Sequence, residues 1–302
     1  MSSNAFADGR AGIDASLVRR LIDRRFPRWS GLPVTPVEWD GWDNRTYRLG
    51  DDMSVRLPTA AGYAPAVVKE NEWLPVLAPG LPLPIPVPLG LGAPDEEFPH
   101  PWSVRRWLDG ETATAERVND MTRFAVDLAR FLKALRSVPA DGGPAAGAHS
   151  FHRGAPPARY HDQTVEALDI LGDDIDTEGA ATTWQAALEA ESDAAPAWFH
   201  GDIAPGNLLV RDGRLSAVID FGTCGVGDPA CDLVIAWTFF TGESREAFRR
   251  EVDLDEGAWR RARGWALWKA LICLSGIDDN TGDVDAHRRV IATVVEEDRR
   301  SR

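Results

Sequence analysis

Several features are scarce in this 302-residue sequence, and each scarcity excludes a class of protein. No apolar run approaches the roughly 20 residues that span a bilayer, so we predict no membrane helix; the longest run is Leu233–Phe240. The three cysteines, Cys224, Cys231 and Cys273, show neither metal-ligand spacing nor a disulfide framework. This predicts free structural thiols in a reducing cytoplasm. The N-terminal residues lack a basic segment followed by an apolar one, so no secretory signal is expected.

Basic residues are also scarce relative to acidic ones. The chain has 33 Lys and Arg against 47 Asp and Glu, a net charge of −14. Nucleic acid is therefore not expected as a partner, because neutralising phosphates requires Lys and Arg. The charge suits a cationic substrate instead. Hydrophobic residues make up 44% of the chain, which is enough for a large core, while composition says nothing of the oligomeric state.

Strand-like patterns dominate the first third of the chain. Two runs within Pro36–Pro58 flank a turn at Gly50–Asp52, and Pro101–Glu111 is predicted as a further strand. The proline-rich stretch Pro79–Pro94 is predicted as an extended connector, because dense proline forbids a central strand or a helix. Two helices accompany these strands, Asp14–Phe26, capped by Asp14, and Ala66–Ala78.

Helical patterns dominate the rest of the chain, beyond Gly110. We therefore predict an N-terminal lobe at residues 1–107 and a C-terminal lobe at residues 108–302. The helices predicted there are Glu116–Val138, His161–Leu171, Ala180–Ala190, Pro229–Phe240, Ser244–Val252, Gly257–Leu274 and Val284–Arg299. On Gly257–Leu274, Trp265 and Trp268 share a face that packs in the core or lines an acceptor pocket.

The segment Trp198–Gly222 concentrates polar chemistry within one predicted hairpin, whose strands are separated by an Asp-Gly turn. Phosphoryl transfer needs a carboxylate that orients a hydroxyl and takes its proton, and Asp202 suits that role. It also needs hard oxygen ligands for Mg²⁺, and Asn207 and Asp220 supply an amide oxygen and a carboxylate. His200 alone reads better as a histidine that braces the loop.

The strings "HGDIAPGN" and "DFG" in this segment resemble the catalytic loop and metal-binding motif of protein kinases. The closer resemblance is to the aminoglycoside phosphotransferase family, because glycine separates His200 from Asp202 and "GVGDPACDL" (Gly225–Leu233) follows soon after. The resemblance implies a two-lobed, protein-kinase-like α+β fold. Its small N-terminal lobe would hold an antiparallel sheet, and its larger C-terminal lobe would be mainly helical. ATP or GTP would be the co-substrate, with Mg²⁺.

The same resemblance implies a nucleotide site in the N-terminal lobe. "GWDNRTYRL" is similar to the family's phosphate loop and includes Gly41 and Asn44, although a plain hairpin turn is the alternative. Arg56 stands where the family commonly has lysine, and its alternative is a solvent-facing strand residue. Glu70 would hold Arg56 in place, with Glu72 as the alternative.

Two further groups complete the resemblance. The backbone of Arg106, Trp107 and Leu108 would form the hinge that meets the nucleobase. Asp228 and Asp232 are predicted to brace the Asp202 loop or to cap the next helix.

These observations predict a kinase that transfers the γ-phosphate of ATP or GTP to a hydroxyl of a small molecule. An aminoglycoside-type acceptor is favoured by the resemblance, the charge and the acidic stretch Asp278–Asp285, whose alternative is a solvated loop. A macrolide, sugar or amino-alcohol kinase and a non-catalytic nucleotide-binding module are the alternatives. A protein kinase is disfavoured, because no long activation segment follows Gly222.

Overall fold

The computed structural model describes residues 9–38, 40–41, 43–192, 194–278 and 282–301. The chain packs as two compact units. Unit 1 comprises the described residues up to Gly110 together with Ala217–Gly222, and unit 2 comprises the described remainder. The segment Ala217–Gly222 thus packs with the N-terminal part of the chain, although the sequence assigned it to residues 108–302. The functional lobes 1–107 and 108–302 stay a prediction.

Unit 1 is built on a five-stranded antiparallel sheet with the strand order β1-β2-β3-β5-β4. The strands are β1 (Val34–Pro36), β2 (Asn44–Leu49), β3 (Met53–Pro58), β4 (Pro88–Gly92) and β5 (Trp102–Arg106). The predicted turn between β2 and β3 is confirmed, with Leu49 opposite Met53 and Gly50 at a φ of +60°. Glycine suits that position because it adopts positive φ without steric cost.

One face of this sheet packs against α1 (Ala15–Arg25). The helix starts where predicted, since the Asp14 carboxylate accepts a hydrogen bond from the Leu17 N–H at 2.8 Å. Its apolar stripe and the inward residues of β2, β3 and β5 form one core, with Leu17, Leu21, Ile22, Tyr47, Val55, Leu57 and Trp102 among its members. A second helix, α2 (Ala64–Leu77), contacts β4 and β5 and carries Glu70.

The prediction that Pro79–Pro94 is only a connector is wrong at its C-terminal end. Residues Pro88–Gly92 form β4, which pairs with β5 at the edge of the sheet. An edge strand tolerates proline, because one side of its backbone needs no ladder hydrogen bond. Gly92 makes the pairing possible, since a Cβ there would lie 1.9 Å from the Trp102 ring.

Unit 2 is mainly helical. Its helices are α3 (Met121–Ser137), α4 (His161–Leu171), α5 (Thr177–Glu189), α6 (Ile235–Thr238), α7 (Gly242–Val252), α8 (Glu256–Leu274) and α9 (Val284–Arg300). Helix α8 contacts α4, α5 and α9 and is buried on almost every side. Trp265 and Trp268 are only 2% and 4% exposed, so they belong to the core.

Two predicted helices of unit 2 differ most from the structure. Helix α3 begins at Met121 rather than Glu116, because Asp120 accepts a hydrogen bond from the Arg123 N–H and caps it there. The predicted helix Pro229–Phe240 is a 3-10 helix over Pro229–Val234 followed by the short α6. Of the predicted acidic stretch Asp278–Asp285, residues 279–281 lie outside the described residues.

The remaining strands are β6 (Glu111–Thr112), β7 (Ala197–Phe199), β8 (Leu208–Arg211), β9 (Arg214–Val218) and β10 (Gly225–Gly227). All belong to unit 2 except the last two residues of β9, which belong to unit 1. Strand β7 pairs with β10, and β6, β8 and β9 form a second small sheet. No helix in the described ranges has the length and apolarity needed to cross a membrane.

Gly154 fixes the loop between α3 and α4 against β7. It has a φ of +79°, and a Cβ on it would lie 2.1 Å from Cε1 of Phe199. We expect Gly154→Ala to lower the free energy of unfolding by about 3 kcal/mol, because it adds a core clash to backbone strain. Urea denaturation of the purified variant measures this.

The matched control is Gly276→Ala, since Gly276 has a φ of +78° with no heavy atom within 4 Å of the built Cβ. That variant should lose only about 1 kcal/mol, the cost of backbone strain alone. Equal losses in the two variants would show that the contact with Phe199 is unimportant.

Candidate active site

The loop His200–Asn207, here called the Asp202 loop, joins β7 to β8 and is held by one buried carboxylate. Asp232, which is 3% exposed, accepts hydrogen bonds from the N–H groups of His200 and Gly201 at 2.8 and 2.7 Å. Burial raises the pKa of Asp232, and the two N–H bonds and the charges of His200 and Arg136 only partly offset it. The prediction that Asp232 braces this loop is confirmed.

The start of the Asp202 loop makes a tight bend at Gly201. Its φ is +85°, and a Cβ there would lie 3.0 Å from both the carbonyl oxygen and Oγ1 of Thr223. The Thr223 hydroxyl donates to the His200 carbonyl at 2.9 Å. The Asp202 N–H donates to Nδ1 of His200 at 3.2 Å. His200 is fully buried and braces the loop from within.

Asp202 and Asn207 meet at the open side of this loop. The Asn207 amide nitrogen donates to the Asp202 carbonyl at 2.9 Å and to Oδ2 of the Asp202 carboxylate at 2.8 Å. Asp202 itself is exposed, so its carboxylate is accessible to a substrate. Because the nitrogen of Asn207 faces Asp202, its amide oxygen is left to accept a proton donor or to coordinate a cation.

The predicted hairpin after this loop is confirmed by β8 and β9. Its turn residues Asp212 and Gly213 both have positive φ, 52° and 75°, as a two-residue hairpin turn requires. Beyond the hairpin, Asp220 also has a positive φ, 66°. Non-glycine residues held in this region are enriched at functional sites, where the fold compensates the strain.

Arg56 lies beside Asp220 in unit 1. Its guanidinium Nη2 is 3.5 Å from Oδ1 of Asp220, and its side chain is 13% exposed. Burial alone would lower the pKa of Arg56, but the carboxylates of Asp220, Glu70 and Asp43 raise it overall. The alternative that Arg56 is a solvent-facing strand residue is therefore wrong.

Glu70 does not hold Arg56 as predicted, because its carboxylate is bonded to a different arginine. Arg105 on β5 donates to both oxygens of Glu70, at 2.9 and 2.6 Å, and its Nε donates to the Ser103 hydroxyl at 2.9 Å. Glu70 and Arg105 are 3% and 2% exposed, whereas the alternative, Glu72, is exposed. Burial alone would raise the pKa of Glu70, but the positive charge and hydrogen bonds of Arg105 lower it overall.

In the predicted hinge, Arg106–Leu108, two of the three backbone N–H groups already donate hydrogen bonds within the protein. The Arg106 N–H donates to the Val87 carbonyl at 3.2 Å, and the Trp107 N–H donates to the Asp52 carbonyl at 2.8 Å. Neither N–H is free for a nucleobase, which corrects the prediction for these two donors. The N–H of Leu108 has no acceptor among the described residues, so it is the donor of the three that a base edge could use.

Most of the predicted phosphate loop, Gly41–Leu49, is strand β2 (Asn44–Leu49), and only its first residues precede that strand. Gly41 is exposed with open space around its Cα, and its carbonyl accepts a hydrogen bond from Arg10 at 3.0 Å. Asp40 beside it forms ion pairs with Arg10 and Arg45 at 3.0 and 3.2 Å. Asn44 begins β2 and is 9% exposed, while Trp42 lies outside the described residues. The role of Gly41 and Asn44 at phosphates stays a prediction.

Asp228, the other predicted bracing residue, caps the 3-10 helix by accepting the Ala230 N–H at 3.1 Å. It also pairs with Arg261 of α8 at 2.6 Å, so it is structural. All three cysteines are free and buried, as predicted. Within the described ranges, no three His, Cys, Asp or Glu side chains are grouped so as to hold a metal ion.

Sequence comparison decides the family. A family profile described as "Phosphotransferase enzyme family" matches residues 34–265, which contain both the Asp202 loop and Asp220. The chain belongs to the phosphotransferase enzyme family. The predicted kinship with aminoglycoside phosphotransferases is thereby confirmed.

Individual relatives of this family member agree. An aminoglycoside 3'-phosphotransferase of Escherichia coli is 28% identical over 144 residues, which cover 45% of this chain and 51% of the relative. The match therefore spans about half the length of that curated relative. The solved GDP and kanamycin complex of APH(2")-IIia has a TM-score of 0.67 at 20% identity, covering 94% of this chain and 98% of that one.

A second solved structure, the macrolide 2'-phosphotransferase MphH from Brachybacterium faecium, has a TM-score of 0.61 at 23% identity. It covers 93% of this chain and 97% of its own. These likenesses confirm the predicted kinase-like α+β fold class, with an antiparallel sheet in the N-terminal part and a mainly helical C-terminal part.

The buried pair Glu70–Arg105 yields a stability prediction. Glu70→Gln should lower the free energy of unfolding by about 3–5 kcal/mol, because it leaves the Arg105 charge buried without its counter-ion. The double variant Glu70→Leu/Arg105→Met should recover most of that loss. Urea titrations at neutral pH compare the three proteins.

The same pair gives a pH dependence with a defined sign. Because folding lowers the pKa of Glu70 from about 4.5, its contribution is present above that pH and is lost as pH falls through the folded value. The double variant should therefore lose less stability than the wild type on acidification below pH 4.5. Parallel acid profiles would contradict this assignment.

Proposed function

We propose that this family member transfers the γ-phosphoryl group of ATP or GTP to a hydroxyl of a small molecule. The observation that carries the proposal is the exposed Asp202 carboxylate, bonded to the Asn207 amide on a loop that Asp232 anchors. Such a carboxylate can orient a hydroxyl and accept its proton as the new P–O bond forms. Kinship with the phosphotransferase family supports the proposal.

We assign the other predicted residues to nucleotide and metal. The carboxylate of Asp220 and the amide oxygen of Asn207 are hard oxygen donors of the kind that Mg²⁺ prefers, so these residues would hold the ion. When bound, Mg²⁺ supplies charge neutralisation at the phosphate oxygens. Arg56 would contact the phosphates, and Leu108 would offer its N–H to the base. The solved relatives include complexes with GDP and with ATP, which supports a nucleoside triphosphate as donor.

For the acceptor we propose an aminoglycoside-type compound. The solved complexes of similar proteins with kanamycin, streptomycin and gentamicin support this class, as does the net charge of −14, which attracts polycations. A macrolide is the second candidate, because MphH is among the similar structures. A non-catalytic nucleotide-binding module is disfavoured, since Asp202, Asn207 and Asp220 are all present. The cytoplasmic location stays a prediction.

The proposal is tested by nucleotide-dependent turnover of purified protein across aminoglycosides, macrolides, sugars and amino alcohols. We expect Asp202→Asn to lower kcat by at least about 100-fold with little change in the nucleotide KM, because proton acceptance is lost while nucleotide binding is not. Coupled ADP or GDP release and mass spectrometry of the acceptor measure this.

The control for that variant is Asp212→Asn, the same change at a side chain that is 92% exposed in the β8–β9 turn. It should match the wild type. Full activity of Asp202→Asn with a confirmed acceptor would remove Asp202 from the chemistry, and a complete lack of turnover in the wild type would count against the kinase.

A separate prediction concerns Arg56, which stands where related kinases commonly use lysine. Arg56→Ala should raise the nucleotide KM and lower kcat, together by about 100-fold in kcat/KM, because a charge-assisted contact to phosphate is removed. Arg56→Lys should retain more activity, because the charge is kept while the two-pronged geometry is lost. Arg211→Ala, an exposed strand arginine, is the control; an Arg56→Ala enzyme indistinguishable from it would refute the role.

A further inference from the structure

Arg153 is placed directly against the Asp202 loop, within unit 2. A Cβ built on Gly201 would lie 3.2 Å from Cβ of Arg153, so the two backbones are in contact immediately before Asp202. The sequence analysis assigned no role to this residue. Its segment, 147–154, links α3 to α4 and is called the Arg153 loop here.

Both ends of the Arg153 loop are fixed. The hydroxyl of Ser150, which is fully buried, lies 3.0 Å from the carbonyl oxygens of Gly147 and Arg153. Gly154 is packed on Phe199, and its carbonyl accepts the Asp228 N–H at 2.8 Å. The position of the Arg153 backbone is therefore set by the core rather than by its own side chain.

The Arg153 side chain stacks on aromatic rings instead of pairing with an acid. Its guanidinium carbon lies 5.0 Å from the Trp268 ring centre and 5.8 Å from that of Trp265, and Nη1 donates to the Phe151 carbonyl at 3.3 Å. Among the described residues, no carboxylate lies within ion-pair distance of Arg153 or of its neighbour Arg159. By contrast, Arg249 lies 4.9 Å from the Trp259 ring centre and is also paired with Glu256.

The Arg153 side chain is hydrogen-bonded to the Tyr160 side chain but has no carboxylate partner among the described residues, in a chain with 47 acidic residues against 33 basic ones. A guanidinium that stacks by its face keeps N–H groups at its edge, and these match the geometry of phosphate and carboxylate. Because Arg153 has no ion-pair partner among the described residues, such an anion would not have to displace a carboxylate from it. The arrangement thus fits a site for an oxyanion beside the Asp202 loop.

The neighbouring backbone supports a binding role. Phe151 and His152 both have positive φ, 47° and 54°, and two consecutive non-glycine residues in this conformation carry strain. The strained turn leaves the Phe151 ring 43% exposed. The Tyr160 hydroxyl donates to the Phe151 carbonyl at 2.5 Å, and the Tyr160 ring stacks on Trp268 at 4.0 Å. An apolar ring of a ligand could pack on Phe151 while its anionic group meets Arg153.

We propose that Arg153 binds a phosphate or carboxylate group of the small molecule that is oriented by Asp202. This inference rests on the proposed kinase function. It adds a contact between the protein and an anionic group of the acceptor or of its phosphorylated product. Two sources supply the same chemistry: the phosphate ester newly formed on the acceptor, or an anionic group that the acceptor carries beforehand. The first source is compatible with a polycationic acceptor, whereas the second requires a different acceptor class.

Binding of inorganic phosphate to the full-length protein without nucleotide tests the site directly. We expect millimolar binding by calorimetry, weakened at least about tenfold in Arg153→Gln, because a charge-assisted pair is lost. Arg249→Gln is the matched control, since it also removes a cation from a tryptophan face, and it should bind phosphate like the wild type. Arg153→Lys should have a phosphate affinity between those of the wild type and Arg153→Gln. This result separates loss of charge from loss of packing.

Unchanged phosphate affinity in Arg153→Gln, with thermal unfolding like that of the wild type, would overturn the proposal. So would a wild type that does not bind phosphate at millimolar concentration. If Arg153→Gln unfolds, the Arg153→Lys variant decides, because it keeps the cation over Trp268 but not the fork of donors.

Kinetics with a confirmed acceptor distinguish the two sources. If Arg153 binds the new phosphate ester, Arg153→Gln should weaken product inhibition and change kcat while leaving the acceptor KM unaltered. If it binds an anionic group of the acceptor, the acceptor KM should rise at least about tenfold with kcat little changed. Arg153-dependent phosphate binding in a protein without kinase turnover would refute the proposed function and leave the oxyanion site standing.

Discussion

The arrangement of the Asp202 loop depends on a single buried carboxylate. Asp232 receives the N–H groups of His200 and Gly201, and this pair of bonds sets the path of the chain just before Asp202. Three features lie along that path. They are the bend at Gly201, the hydrogen bond from the Asp202 N–H to His200, and the hydrogen bond from the Asn207 amide to the Asp202 carboxylate. Burial disfavours the ionised form of Asp232, and the two N–H hydrogen bonds offset part of that cost. The exposed carboxylate of Asp202 is thus positioned, through the backbone, by the buried carboxylate of Asp232.

In unit 1, two arginines, Arg105 and Arg56, pair with carboxylates in different ways. Arg105 takes both oxygens of Glu70 and is sealed into the sheet, so this pair is structural and does not face a ligand. Arg56 is left with Asp220 at the looser distance of 3.5 Å. A tight, dry pair fixes the helix α2 to the strand β5, and a loose pair keeps a cation available for exchange with other anions. Of the two arginines, Arg56 is therefore the one that can serve the proposed nucleotide site.

Much of this could be predicted from local sequence, because caps, turns and the polar residues of the Asp202 loop act over a few positions. Asp14 starts α1, Asp212 and Gly213 turn the hairpin, and "HGDIAPGN" identifies the loop. The predictions that were wrong concern residues whose partners are distant in sequence. The partner of Glu70 is 35 positions away, and the packing of α2 against β5 brings Arg105 into reach. The alternation of Ser103, Val104 and Arg105 predicts a solvated polar face, so local sequence gives no sign that Arg105 is buried. The N–H groups of Arg106 and Trp107 are likewise taken up by backbone carbonyls that lie far away in sequence. Pro88–Gly92 is a strand because it pairs with β5, which its local sequence does not indicate.

Both edges of the five-stranded sheet carry proline. Strand β1 is short and ends in Pro36, and β4 begins with Pro88 after the run of alternating prolines that precedes it. A proline on an outer strand offers no N–H to an incoming chain, so strands cannot easily be added at either side. The proline that begins β4 therefore also bears on association between chains. Proline at both edges of the sheet thus disfavours edge-to-edge pairing with a second polypeptide chain.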